Sequence, residues 1–270
     1  MKKTFLLLSV FCFSLIASLS AQSFKVYPSS VEFKLAPGES KSYDITVENT
    51  SDREESFIVS TSDFAYNDKG DMKFFPAGTT KQSCSNYLTV SSSFLKLNPN
   101  SKTNVTVMMN LPEGATNTTK WGLVSIRSEK EFTGQAADKS VVRAGLIITP
   151  EIAVKVLQTP PGLSAKKINI NDFRELQTAQ ADSNRVFLVN MSNDGEILTK
   201  FKVYLTLSNL ETLEEQTIEP IEMALLPNVK SEKRLKLPKD VKPGSYSLAA
   251  ILDYGDEYDL EGMEMEIEVK

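Results

Sequence analysis

The sequence predicts an all-β protein: two tandem β-sandwich domains behind a signal peptide. Three observations carry this reading. Apolar and polar residues alternate in run after run, which puts one face of a strand in a core and the other in water. Pro, Gly and Asn interrupt these runs at short intervals, and many short strands at such spacing build sandwiches. No long stretch carries the 3.6-residue period of an amphipathic helix.

The first residues are an address. Lys2 and Lys3 precede an almost wholly apolar run over residues 5–17. Ser18 and Ser20 then occupy the -3 and -1 places for cleavage before Ala21, and cleavage after Ala21 is equally open. The run falls short of the roughly 20 residues that span a bilayer. Phe11 before Cys12 does not suit a lipid-attachment site. Residues 1–21 are therefore expected to be removed and the chain exported to the periplasm or the cell surface. No later stretch is apolar for long enough to cross a membrane.

In the mature chain Val31, Phe33 and Leu35 alternate with polar residues, as do Tyr43, Ile45 and Val47, then Val105, Val107, Met109 and Leu111. Turns are signalled by Pro37-Gly38, Asn67-Asp68-Lys69-Gly70 and Pro76-Ala77-Gly78. Thr159-Pro160-Pro161-Gly162 closes this series, since proline cannot donate to a strand ladder. It separates residues 22–159 from residues 160–270, each the size of one sandwich. In the second piece Phe201, Val203, Leu205 and Leu207 alternate, then Tyr246, Leu248, Ala250 and Leu252. Met263, Met265, Ile267 and Val269 end the chain, interleaved with Glu264, Glu266 and Glu268. A weak internal repeat is visible. Asp44 onward resembles Arg185 onward, which pairs Asn49 with Asn190. Leu111-Pro112 before Trp121-Gly122 resembles Leu237-Pro238 before Gly244.

Composition removes whole classes of chemistry. The 270 residues include 30 Lys+Arg, 35 Asp+Glu and no His, a formal charge of -5. Without His there is no imidazole base for a Ser or Cys nucleophile and no imidazole metal ligand. Two Cys are too few for a thiolate zinc site or an iron–sulfur cluster within one chain. Only Cys84 survives signal cleavage, so no intrachain disulfide forms; it reads as a buried apolar side chain or as half of an intermolecular disulfide. The acidic balance opposes nucleic-acid binding. No cofactor and no enzyme activity are expected, although the composition leaves carboxylate-only hydrolysis open. Asp253, Asp256, Glu257 and Asp259 read as an acidic turn or as oxygen ligands for Ca²⁺. Trp121 begins an apolar run and reads as core.

One resemblance adds to this. Tyr27-Pro28-Ser29-Ser30-Val31-Glu32-Phe33, then Leu35-Ala36-Pro37-Gly38-Glu39, then Ile45-Thr46-Val47-Glu48-Asn49-Thr50 come in a familiar order. Tyr87-Leu88-Thr89-Val90, Phe94-Leu95-Lys96-Leu97, Val105-Thr106-Val107 and Leu111-Pro112 continue it. Over residues 27–157 the chain resembles the periplasmic pilus-chaperone-like (PapD-like) proteins. The resemblance implies that both sandwiches are immunoglobulin-like. It also implies that the last strand of the first domain serves exported or pilus subunits by β-strand addition. The matching strand is 146–157, with Ile148, Ile152, Val154 and Val156 as client-binding residues, Pro150 suiting an edge or bulge. Lys155 is then the candidate anchor for a client's terminal carboxylate. The family's second anchoring cation has no match, because the opening strand reads Ser29-Ser30 and Lys25 lies earlier. The residue pattern alone also allows an ordinary final strand that fills its own sandwich. The alternative function is a structural cell-surface or cell-wall interaction module.

Overall fold

A computed structural model describes residues 23–129, 132–133, 147–177, 185–255 and 257–270. The signal-peptide reading over residues 1–21 lies outside these. The fold is all-β, two tandem immunoglobulin-like sandwiches. The first is built from β1 (Phe24–Tyr27), β2 (Ser30–Lys34), β3 (Ser40–Asn49), β4 (Glu55–Tyr66), β5 (Met72–Pro76), β6 (Leu88–Val90), β7 (Phe94–Leu97), β8 (Lys102–Asn110), β9 (Lys120–Ser128) and β12 (Glu151–Thr159). Between β9 and β12, β10 (Phe132–Thr133) and β11 (Ile147–Ile148) pair as an antiparallel ribbon.

One sheet runs β1-β3-β8-β6; the facing sheet runs β2-β12-β9-β4-β5, with β7 also on β4. The opening strand changes sheets at Pro28: β1 pairs antiparallel with β3, and β2 pairs parallel with β12. Proline lacks the N–H that would continue the first ladder. The alternating residues meet between the sheets as the sequence predicts. Phe33, Ile45, Val47, Phe57, Val105, Val107 and Met109 are buried there, and Phe24 packs on Phe57 with ring centroids 4.8 Å apart.

The second sandwich comprises β13 (Ile168–Leu176), β14 (Val186–Asn193), β15 (Thr199–Asn209), β16 (Glu215–Thr217), β17 (Ile221–Leu225), β18 (Lys230–Lys236), β19 (Gly244–Asp253) and β20 (Glu261–Val269). It repeats the first. β14 lies between β13 and β18 as β3 lies between β1 and β8. β15 carries β16, β17 and β19 as β4 carries β5, β7 and β9. The repeat aligns Asn49 with Asn193, not with Asn190. Asn49 N donates to Ser101 O at 2.9 Å and Asn193 N to Val229 O at 3.0 Å, just before β8 and β18. Each carboxamide also bridges the sandwich, from Asn49 Nδ2 to Leu97 O (3.1 Å) and from Asn193 Nδ2 to Leu225 O (2.7 Å). A strand-ending Asn that caps its own turn defines the equivalence, whereas Asn190 lies inside β14.

The sandwiches share apolar surface. Phe64, Trp121 and Leu123 of the first form one buried cluster with the second core, including Phe187, Val189, Leu226 and Val229. Tyr66, Met72, Ala153 and Leu157 pack against it. Trp121 is therefore core, but of the junction; its Nε1 donates to Phe64 O at 3.0 Å. The β4–β5 turn also reaches across: Glu232 N donates to Lys69 O at 3.0 Å. Gly70 (φ +86°) is needed there twice over, for its left-handed backbone and because a Cβ would collide with Ser231.

Asp63 organises the segment that follows β5. It is fully buried, and its carboxylate accepts from Thr79 N (2.8 Å), Thr80 N (2.9 Å), Thr80 Oγ1 (3.1 Å) and Ser83 Oγ (2.7 Å). Burial alone would raise its pKa, but hydrogen bonds from neighbouring hydroxyls and amides outweigh that and hold it below the usual carboxylate range.

Candidate functional site

β12 is the element on which the sequence reading turns. It pairs antiparallel with β9 from Glu151 to Gln158. On its other side β2 pairs only from Lys155 to Thr159. Over residues 151–154 no strand among the described residues covers that side. Lys155 N donates to Ser29 O at 3.1 Å, so the main-chain groups of Lys155 point toward β2. Alternate peptide groups of a strand share a direction. Ala153 and Glu151, two and four residues earlier, thus offer amide and carbonyl to the uncovered side. Pro150 O already serves β9, accepting from Ser128 N at 3.0 Å.

The side chains sort differently from the sequence expectation. Val154 and Val156 are each 0% exposed in the first sandwich's own core. Ile152 is half-buried against the same core. These three do alternate on one face, but it is the inner face, because their partners Ile126, Val124 and Gly122 on β9 are buried. The side chain of Ile148 lies outside the described residues; its backbone pairs with Phe132. Lys155 is exposed on the outer face, opposite Leu123 on β9 and Ser30 on β2. Lys25 cannot supply a second cation beside it, since it lies opposite Glu48 in the other sheet. Arg127, opposite Glu151, and Lys34, opposite Thr159, are further basic residues on this outer face. Sequence reasoning missed Arg127, Glu151 and Ala153, because nothing in a strand's pattern tells which stretch of its edge a neighbour leaves open.

Cys84 is buried at 0% exposure. Burial first, then the Asp63 carboxylate, pushes its thiol far above the ordinary range, which suits a core residue and leaves no surface thiol for an intermolecular disulfide. Asp256 lies outside the described residues. Among those described, no group of three or more acidic or sulfur side chains is placed to hold a metal ion, and no helix is long and apolar enough to cross a membrane. Glu264, Glu266 and Glu268 are exposed on β20, which pairs only with β19 among the described residues; charge on an edge strand discourages edge-to-edge association.

No family model and no curated protein matches the sequence. Solved structures do. A chain from the chaperone–tip adhesin complex of CFA/I fimbriae is 13% identical, with a TM-score of 0.45 over 91% of this chain and 98% of that one. The CsuC–CsuE chaperone–tip adhesion subunit complex of Acinetobacter baumannii Csu pili matches at 9% identity and TM-score 0.45, covering 90% and 98%. The SafA pilin–SafB chaperone complex of Salmonella enterica matches at 14% identity and TM-score 0.43, covering 90% and 96%. These are structures of fimbrial and pilus chaperones, the proteins that the sequence resembles.

Proposed function

We propose that this protein is an exported, non-catalytic binding protein of the chaperone or assembly-factor type, periplasmic or at the cell surface. It holds an exported or pilus subunit by adding a subunit strand to the open edge of β12. The observation that supports this is the pair of uncovered main-chain positions, Glu151 and Ala153, beside a strand whose opposite edge is fully paired. Main-chain hydrogen bonds supply affinity in strand addition. In this reading Val154 and Val156 hold the strand from inside the sandwich. Ile148 and Ile152 extend the docking segment, and exposed Lys155 meets a client carboxylate where β2 closes the edge.

Ala153→Pro tests the main-chain part. It deletes an N–H on the open side and leaves the ladder to β9 intact. The expected result is loss of subunit capture from a periplasmic extract, with a melting temperature within a few degrees of wild type. Capture that survives both this change and Lys155→Ala would remove the strand-addition reading and leave that of a surface interaction module.

A further inference from the structure

A second polar feature lies where the two sandwiches meet. A cavity of about 470 Å³ opens between the loop after β5, the loop between β8 and β9, and two turns of the second sandwich. Lys81, Gln82 and Lys120 line it from one side, and Glu196 and Asn228 from the other. Lys155 is not among its walls. Lys120 faces it from the first residue of β9 and is only 7% exposed. Among the described residues it has no carboxylate within ion-pair distance. The Asp63 carboxylate is engaged by the loop's own amides and hydroxyls. With Lys81 beside it and Glu196 across from it, the walls carry two positive charges to one negative, a balance that suits an anion.

The walls are held in place before any ligand arrives. Asp63 fixes the segment that carries Lys81 and Gln82. Trp121 N donates to Gln82 O (2.8 Å) and Cys84 N to Trp121 O (3.1 Å), clamping that segment to the start of β9. Across the junction Thr119 Oγ1 donates to Glu196 O at 2.6 Å. Asn193 sets both turns of the second sandwich: its Oδ1 accepts from Gly195 N (2.8 Å) and its backbone O from Asn228 N (2.7 Å). Pre-organised polar groups bind without a large ordering cost.

We propose that this cavity binds a small polyhydroxylated anion, of the sugar-acid or sugar-phosphate class. Lys120 and Lys81 meet its carboxylate or phosphate. The amides of Gln82, Asn117 and Asn228 and the hydroxyls of Thr116 and Thr118, all lining the cavity, are more than one oxyanion can use. They therefore meet hydroxyl groups. The volume falls within the usual range of roughly 300–1,000 Å³ for small-molecule sites. The inference is independent of the strand edge on β12.

Isothermal titration of the full mature protein with glucuronate, glucose 6-phosphate and glucose tests it. At least one anion should bind with Kd of about 1 mM or tighter, and more weakly as salt is raised. Glucose should bind at least ~10-fold more weakly. Lys120→Met should weaken the anion at least ~10-fold, the equivalent of about 1.4 kcal/mol. Lys81→Ala, at an exposed position, supplies a second variant should Lys120→Met fail to fold, and should weaken the same anion. Both variants should capture subunits as wild type does, so failure here and failure of the strand edge are distinguishable. Absence of anion binding at about 10 mM, equal affinity for glucose, or unchanged affinity in both lysine variants would overturn the proposal.

Discussion

Replacing Asp63 by Ala removes a carboxylate that no solvent reaches and strands the donors it serves. Four hydrogen bonds are lost, from Thr79 N, Thr80 N, Thr80 Oγ1 and Ser83 Oγ. A hydrogen bond to a charged group is worth about 1.5–3 kcal/mol. The full sum is not lost, because the segment can relax outward and take water. A cost of about 3–5 kcal/mol is expected, typical of breaking a buried network. The cost also depends on pH. The folded-state pKa of Asp63 is held below its unfolded value, which is about 3.9. Its contribution is therefore complete above that value and fades as pH falls through the folded pKa. Urea denaturation of wild type and variant at neutral pH, pH 4 and pH 3 reads this directly. The gap between the two proteins should be widest at neutral pH and narrow at the acid end. A neutral-pH gap under about 1 kcal/mol, or a gap that widens as pH falls, would refute the network account.

Two further outcomes follow from the fold. Asn49→Ala and Asn193→Ala should each cost about 2–3 kcal/mol, because each carboxamide satisfies several buried backbone groups at a strand end; Asn190→Ala should cost clearly less in the same thermal melts. A chain ended after Gln158 should melt at a lower temperature and bind a hydrophobic dye, because Trp121 and Leu123 lose the apolar cluster that buries them; a fragment as stable as the whole chain would show that the junction contributes nothing to the first core.

Much was legible in the residues. The period-two runs around Ile45, Val105, Val203 and Leu248 became strands with the expected inner faces, because alternation is a local property that any sandwich must satisfy. The duplication was visible too, but its register was not. Asn49 and Asn190 each stand before a residue and a Ser, a likeness of letters, while the equivalence with Asn193 is one of turn geometry.

The all-β class and the absence of imidazole side chains were determined by the sequence alone, since each depends on composition or on neighbours along the chain. Tertiary structure decided the rest. Val154 and Val156 point inward because β9 and the facing sheet bury that side. Residues 151–154 expose an edge because β2 begins its pairing only at Lys155. Lys120, Lys81 and Asn228 share one cavity although they lie far apart in sequence. Which face is buried, which edge is open and which charges meet all depend on partners brought by long-range pairing, and alternation along one strand carries no record of those partners.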